Sequence, residues 1–297
     1  MLGRVTQRSI ATNALTNLQN TQTRMAKLQD QITSGTSLPK GSEDSVRAAA
    51  ALRLNDQIAV NTENGRNLDE ARAWMTTQEP ALQSTTNALQ KVRELAVRAN
   101  NGALSETGRQ AIAAEITALK ETILGDANTP YQGRAVFGGT TAGATAYAGS
   151  TPYAYAGDSG AVERTISPGV KMTVNILGET VYGTQNGANL FAELDTLAAN
   201  VTAGNTTAVA GALSTIDGRI TRATNAMATI GARTNQLDHA EEVNANQLAY
   251  LEAQLNDVQG VDPAKAYVEF TQQNVAYQAA LQVTAKTVQT SLLDFLR

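Results

Sequence analysis

The stretch YVEFTQQNVAYQAALQVTAKTVQTSLLDF, residues 267–295, decides the architecture. Its larger side chains recur at three- and four-residue steps: Tyr267, Phe270, Tyr277, Leu281, Val288, Leu292 and Phe295. Asn274, Thr284 and Ser291 fill the polar gaps of the same stripe. Nothing inside it breaks a helix, and Pro263 lies just before it, where proline is tolerated. At 1.5 Å per residue the stretch makes a rod of about 40 Å. A stripe so narrow and partly polar needs a partner along its whole length. The other end of the chain offers one. Residues 5–34 carry Leu15, Leu18, Met25, Leu28 and Ile32 on a similar stripe, with Ala11, Ala14 and Gln22 in the intervening places. Ser34-Gly35 then stops the helix, glycine being the common C-terminal signal. The two ends are therefore expected to pair, with the rest of the chain hung between them.

Working inward, residues 36–44 form a loop with Pro39 and Gly41, and Ser42 or Asp44 can cap the second helix. In that helix Leu54, Leu68, Met75, Leu82 and Leu89 fall on one sevenfold series, completed by Asn61 and Ala96. That period favours long helices crossing at a shallow left-handed angle. Pro80 interrupts the pattern without changing its phase, so a kink is expected rather than a restart. A third helix, about residues 105–126, shows Ile112, Ile116, Leu119 and Ile123 on one face. Residues 130–187 then hold 11 of the 23 glycines and five of the eight tyrosines, which marks a turn-rich β insert. Residues 170–176 alternate strictly, as a half-buried strand does, with Val181-Tyr182 and residues 161–166 as candidate partners.

Helix resumes after Asn189, a plausible cap, with Leu190, Leu194, Leu197 and Val201. The longest pattern comes next, from Val209 through Leu213, Ile216, Ile220, Met227, Ile230, Leu237, Leu248, Leu251 and Leu255 to Val258. Gly218 and Gly231 lie within it, either as places where a neighbouring helix comes close or as weak spots. The expected fold is mainly α. It is a long up-and-down helical bundle, or coiled coil, with paired N- and C-terminal helices and a small β-rich inserted domain. Its parts are an N-terminal helix over 1–40, two halves of a helical core over 41–129 and 188–259, the insert over 130–187, and a C-terminal helix over 260–297.

A net charge of −4 gives no electrostatic case for nucleic acid or an anionic membrane. Charged residues are 17% of the chain, against roughly 25% in ordinary soluble proteins. Such depletion suits a surface that meets other subunits. There is no cysteine, hence no disulfide framework and no thiolate site. No apolar run reaches the roughly 18 residues of a membrane span, and residues 1–7 lack the apolar core of a cleaved signal. Chemistry is equally hard to find. The single histidine, His239, stands beside Glu241 and Glu242 without a ligand series. Gly138-Gly139-Thr140-Thr141 lacks the order of a phosphate loop and reads as a turn, and Lys40-Gly41-Ser42 as a connector. Glu43-Asp44 and Glu241-Glu242 read as a cap and a solvated face. The insert's tyrosines read first as the aromatic core a small β fold needs. No catalytic, metal or cofactor site is expected, and the chain does not read as an enzyme.

Several stretches resemble the flagellin superfamily of bacterial flagella. Residues 31–35, QITSG, with Ser42-Glu43-Asp44 are similar to the family's "QISSG … SDD" passage. Residues 90–97, QKVRELAV, resemble its "VRELAV" segment, and residues 133–139, GRAVFGG, its exit from the helical core. Residues 291–297, SLLDFLR, resemble an "SLLD[YF]L" ending. That ending and the Phe137-Gly138-Gly139 exit point to the branch that joins hook to filament rather than to filament flagellin. Gly260-Val261-Asp262 departs from a common "DVD".

The resemblance implies a non-enzymatic structural adaptor, exported unfolded and uncleaved by the flagellar type III system. It implies assembly with itself in a ring, with the preceding junction protein and with flagellin, and a cytoplasmic export chaperone on the C-terminal helix. The striped residues of both ends would then be the assembly interface lining the inner tube. The insert would project, and since the junction contacts then fall to the helices, replacing residues 142–183 by a short linker is expected to leave export and filament attachment intact.

Overall fold

The computed structural model describes the backbone of residues 2–37, 44–184 and 189–295, and the side chains of residues 9, 12–37, 44–184 and 189–285. The protein is mainly α-helical. Helices α1 (Leu2–Ser34), α2 (Ser45–Ala99) and α3 (Glu106–Ala127) precede the β segment. Strands β1 (Pro130–Tyr131) and β2 (Arg134–Ala135) form one antiparallel pair, β3 (Glu163–Ser167) and β4 (Val170–Thr173) another. A short helix α4 (Gly178–Val181) leads to α5 (Leu190–Ala203), α6 (Thr206–Gln259) and α7 (Pro263–Phe295).

Local chemistry sets the ends. Asp44 accepts hydrogen bonds from the N–H groups of Val46 and Arg47 and so caps α2; Ser42 and Glu43 lie outside the described residues. Ser105 and Asn189 cap α3 and α5 in the same manner. Asp262 accepts from Ala264 and Lys265, with Pro263 at the first position of α7. Helix α2 continues through Pro80 without restarting, and both Pro80 and Thr76 are exposed. Water can therefore reach the carbonyl that loses its helical donor.

The chain forms two compact units. Unit 1 comprises residues 1–60 and 247–297. Here α1 lies along α7, and the turn that follows α1 is tied to the turn that precedes α7. Thr36 bridges Gly260, Ser37 N donates to Gln259 O at 2.6 Å, and Val261 N donates to Gly35 O at 3.3 Å. Gly35 has φ 69°, the left-handed conformation that ends a helix.

Unit 2, residues 61–246, holds the main core. Within it α2 and α6 run antiparallel: Arg72 pairs with Glu241 at 2.8 Å and with Asp238, and Arg93 with Asp217 at 2.6 Å. The sevenfold series expected on α2 is buried from Leu68 to Ala96. A second series, Asn64, Ala71, Gln78, Thr85, Val92 and Ala99, is buried beside it. On α6 the apolar series is completed by Ala223, which is buried, and by Thr234, Glu241 and Asn244, which are half-buried. Gly218 and Gly231 have no atom within 4 Å of an added Cβ, so they are weak spots and not close approaches.

The insert differs most from expectation. Residues 161–166 and 170–176 do supply the paired strands β3 and β4, but Val181-Tyr182 ends a helical turn and forms no strand. Both residues point into the core shared with the helices. Tyr182 stacks on Phe191 of α5 at 5.9 Å between centroids and lies 3.1 Å from the Thr85 hydroxyl of α2. Tyr147 sits among Tyr155, Tyr182 and Phe191 and donates its hydroxyl to Gly183 O. The insert is thus part of the unit's core and not a body hung upon it.

Candidate assembly interface

In unit 1 the α1–α7 seam follows a strict alternation of four and three. On α1 the buried or half-buried positions are Ala14, Leu18, Thr21, Met25, Leu28 and Ile32, with Gln31 half-buried at the flank. On α7 they are Ala266, Phe270, Gln273, Tyr277, Ala280 and Thr284, with Asn274 half-buried at the flank. This is the heptad spacing of a coiled coil. Leu18, Met25, Leu28, Ile32, Phe270 and Tyr277 are therefore where the stripes put them. Leu15, Tyr267 and Leu281 are not: they are 57%, 61% and 43% exposed. The reason is phase. From Phe270 and Tyr277 the seam steps three residues to Gln273 and Ala280, small or polar residues that let the backbones approach. Counting large side chains alone steps four, to Asn274 and Leu281. The side chains of Val288, Leu292 and Phe295 lie outside the described residues.

Unit 1 buries little of its own apolar surface. Leu18, Ala51, Leu251 and Ala266 are its only buried apolar side chains among the described residues. Of the thirteen large apolar side chains left exposed among the described residues, ten are in this unit, including Leu52, Val60, Tyr250, Val268, Val275 and Val283. Exposed apolar surface at this density is characteristic of an interaction face.

One residue that carries this unit escaped the periodicity. Arg47 donates from Nε to Val258 O at 2.9 Å and from Nη2 to Ser37 Oγ at 2.8 Å, bridging the two turns. Gln31 Nε2 adds a bond to Ser37 O at 3.0 Å. Gly260 belongs to the same knot: an added Cβ would stand 2.4 Å from Asn256 O, so the departure from an aspartate there fits this turn.

The other candidates resolve into structure. His239 is exposed, and no group of three or more metal-ligating side chains occurs among the described residues. The turn Gly138–Thr141 cradles a carboxylate of the chain itself. Asp158 accepts from Thr140 Oγ1, from Thr140 N at 2.7 Å and from Gly160 N at 3.0 Å, which holds its pKa below the ordinary aspartate value. Gly139 has φ 68° and its Cβ would fall 2.1 Å from Asp158 Oδ1. Glu241 is the partner of Arg72. Lys40-Gly41-Ser42 lies outside the described residues.

The insert's tyrosines are core. Burial pushes Tyr155 up to about 12, and Tyr153 shares a buried cluster in which Lys120 Nζ donates to Tyr153 Oη and to Asp195 Oδ1, each at 2.7 Å. Burial works against the Lys120 charge, but the hydrogen bonds to Asp195, Tyr153 and Glu121 outweigh it and raise its pKa. Gln78, fully buried, donates to Val136 O at 2.8 Å and accepts from Ile176 N at 3.2 Å, pinning both ends of the insert to α2. Lys120 and Gln78 also escaped the sequence reading. Gln78 had a signal, a polar residue on a strict sevenfold series, whereas Lys120 had none.

In comparison with known proteins, residues 5–142 match the bacterial flagellin N-terminal helical region, and residues 213–296 the bacterial flagellin C-terminal helical region. The chain is 25% identical to flagellar hook-associated protein 3 of Escherichia coli over 284 residues, 88% of this chain and 89% of that one. It is also 25% identical to flagellin of Bacillus subtilis over 307 residues, 99% of this chain and 100% of that one. Among solved structures, a putative flagellar hook-associated protein from Vibrio parahaemolyticus shares the fold with a TM-score of 0.69 at 22% identity, covering 73% of this chain and 100% of that one.

Proposed function

The chain belongs to the flagellin superfamily, and from that premise we propose that it is a structural protein of the bacterial flagellum acting where hook meets filament. In this reading it is an adaptor. Copies close into a ring, one side meets the preceding junction protein and the other meets flagellin. Export runs unfolded through the flagellar type III system, with a cytoplasmic chaperone on the C-terminal helix. Filament assembly and swimming then depend on it.

The observation that carries the assembly role is the under-buried unit 1, which presents its apolar residues outward and has no chemistry of its own among the described residues. The Phe137-Gly138-Gly139 exit and the SLLDFLR ending favour the junction over the filament. Likeness to hook-associated protein 3 along nearly the whole of both chains supports the same choice. The filament reading is the second one, because the Bacillus subtilis flagellin is equally identical, at 25%, over a longer span. Electron microscopy of flagella from a deletion strain separates the two. Hooks that lack filaments, with flagellin lost to the medium, are expected of an adaptor. Hooks that still carry filaments of another flagellin would overturn it.

A further inference from the structure

A cleft of about 370 Å³ lies within unit 2 between α6 and the β3–β4 part of the insert. Arg222 and Arg233 line it, with Thr173, Thr180, Asn225 and Thr229, and no carboxylate does. The two arginines stand three turns apart on one face of α6, about 16 Å along its axis. Arg233 is fixed: its Nη1 donates to Asn175 O at 2.9 Å. Asn175 is itself locked, accepting from Val162 N at 2.8 Å and donating to Gly160 O at 3.0 Å. Arg72, Arg93, Arg164 and Arg219 each reach a carboxylate. Arg222 and Arg233 have no ion pair among the described residues, and burial alone lowers the Arg233 pKa, as it does for a cation without a counter-charge. We infer that this cleft receives an acidic polypeptide segment of a neighbouring subunit, with a carboxylate at each arginine.

Three features select that ligand. The spacing of the charges exceeds what one small anion spans, so the ligand is elongated. The hydroxyl and amide lining offers hydrogen bonds along the path between them. Acidic residues outnumber basic ones in this chain, 27 to 23, so carboxylates are available on neighbouring copies. The inference rests on the assembly reading for the source of the segment, but its test does not.

The test is fluorescence anisotropy of a labelled, glutamate-rich synthetic peptide titrated with the full chain. Saturable binding is expected, weakening with salt and absent for the glutamine counterpart of the peptide. Arg222→Gln, which removes no hydrogen bond among the described residues, should weaken binding at least about tenfold, as loss of a charge-assisted bond does. Arg233→Gln should act likewise, and Arg66→Gln, an exposed arginine elsewhere in the unit, should not. Equal weakening by all three, or none by Arg222→Gln, overturns the site. Displacement of the peptide by citrate at equal carboxylate concentration assigns the cleft to small anions and overturns the polypeptide ligand. A null result here leaves the deletion phenotype untouched, so the two readings fail separately.

Discussion

Unit 2 and unit 1 are built from the same kind of helix and differ in what they bury. Forty-one apolar residues of unit 2 form one cluster among the described residues, including Phe137, Tyr147, Tyr182 and Phe191. Among the described residues, unit 1 buries four and leaves ten large ones in the open. One fully buried Leu or Phe side chain stabilises by roughly 1.5–3 kcal/mol, and ordering each backbone residue costs about 1–2 kcal/mol. Unit 2 meets that cost from its own core. Among its described residues unit 1 does so only in part, and on the reading proposed above neighbouring copies supply the remainder. Two pairs of helices, α2 with α6 and α1 with α7, can thus share a sequence period and bury very different amounts of apolar surface.

The largest effect that would break this contrast is excision of residues 142–183 in favour of a short linker. That segment supplies Tyr147, Tyr153, Met172, Val174, Ile176 and Tyr182 to the shared core. Losing two buried aromatics at about 3–5 kcal/mol each already rivals the whole stability of a domain. The truncated chain should lose its cooperative melt and near-ultraviolet dichroism. A sharp melt near that of the parent would show the insert to be separable after all.

Smaller and more local, Tyr182→Ala should cost unit 2 about 3–5 kcal/mol in denaturant titration. Leu18→Ala, at the one buried large side chain among the described residues of α1, should leave that transition unmoved. A shared response would merge the two units into one cooperative body.

The phase of the seam is tested by neighbours in sequence. Ala280→Asp places a carboxylate between α1 and α7 and should cost their pairing about 1–3 kcal/mol, seen as lost helical dichroism in the monomer. Leu281→Asp, on the exposed flank, should leave the monomer unchanged and abolish incorporation into the flagellum. Reversed results would restore the stripe drawn through Leu281.

The smallest effect expected is a gain. Gly218→Ala and Gly231→Ala fill open space on α6 and should each stabilise unit 2 by up to about 1 kcal/mol.

The sequence was most legible where the period was long. The series from Val209 to Val258 and from Leu68 to Ala96 mark their helices because the buried face repeats many times, so one polar member does not hide it. Asn189 and Asp44 are legible as caps for a local reason, the bond each makes to the next turn. The phase of α7 was not legible to side-chain size, because Ala280 and Gln273 carry the seam while Leu281 and Tyr267 face outward. Val181-Tyr182 resembles a strand by composition, and only packing against Phe191 and Thr85 decides otherwise. Arg47 and Lys120 bond to partners far away in the chain, Val258 and Asp195, and no local pattern announces such a bond.

Amide hydrogen exchange, measured by mass spectrometry on the monomer and on the chain within assembled flagella, tests the division of labour most directly. Fast exchange in the monomer should be confined to residues 1–60 and 247–297, with residues 61–246 protected to the global stability of unit 2. Assembly should then protect the fast segments. If the terminal helices are as slow in the monomer as the aromatic core, unit 1 is complete without neighbours and the account of it as a joint is wrong.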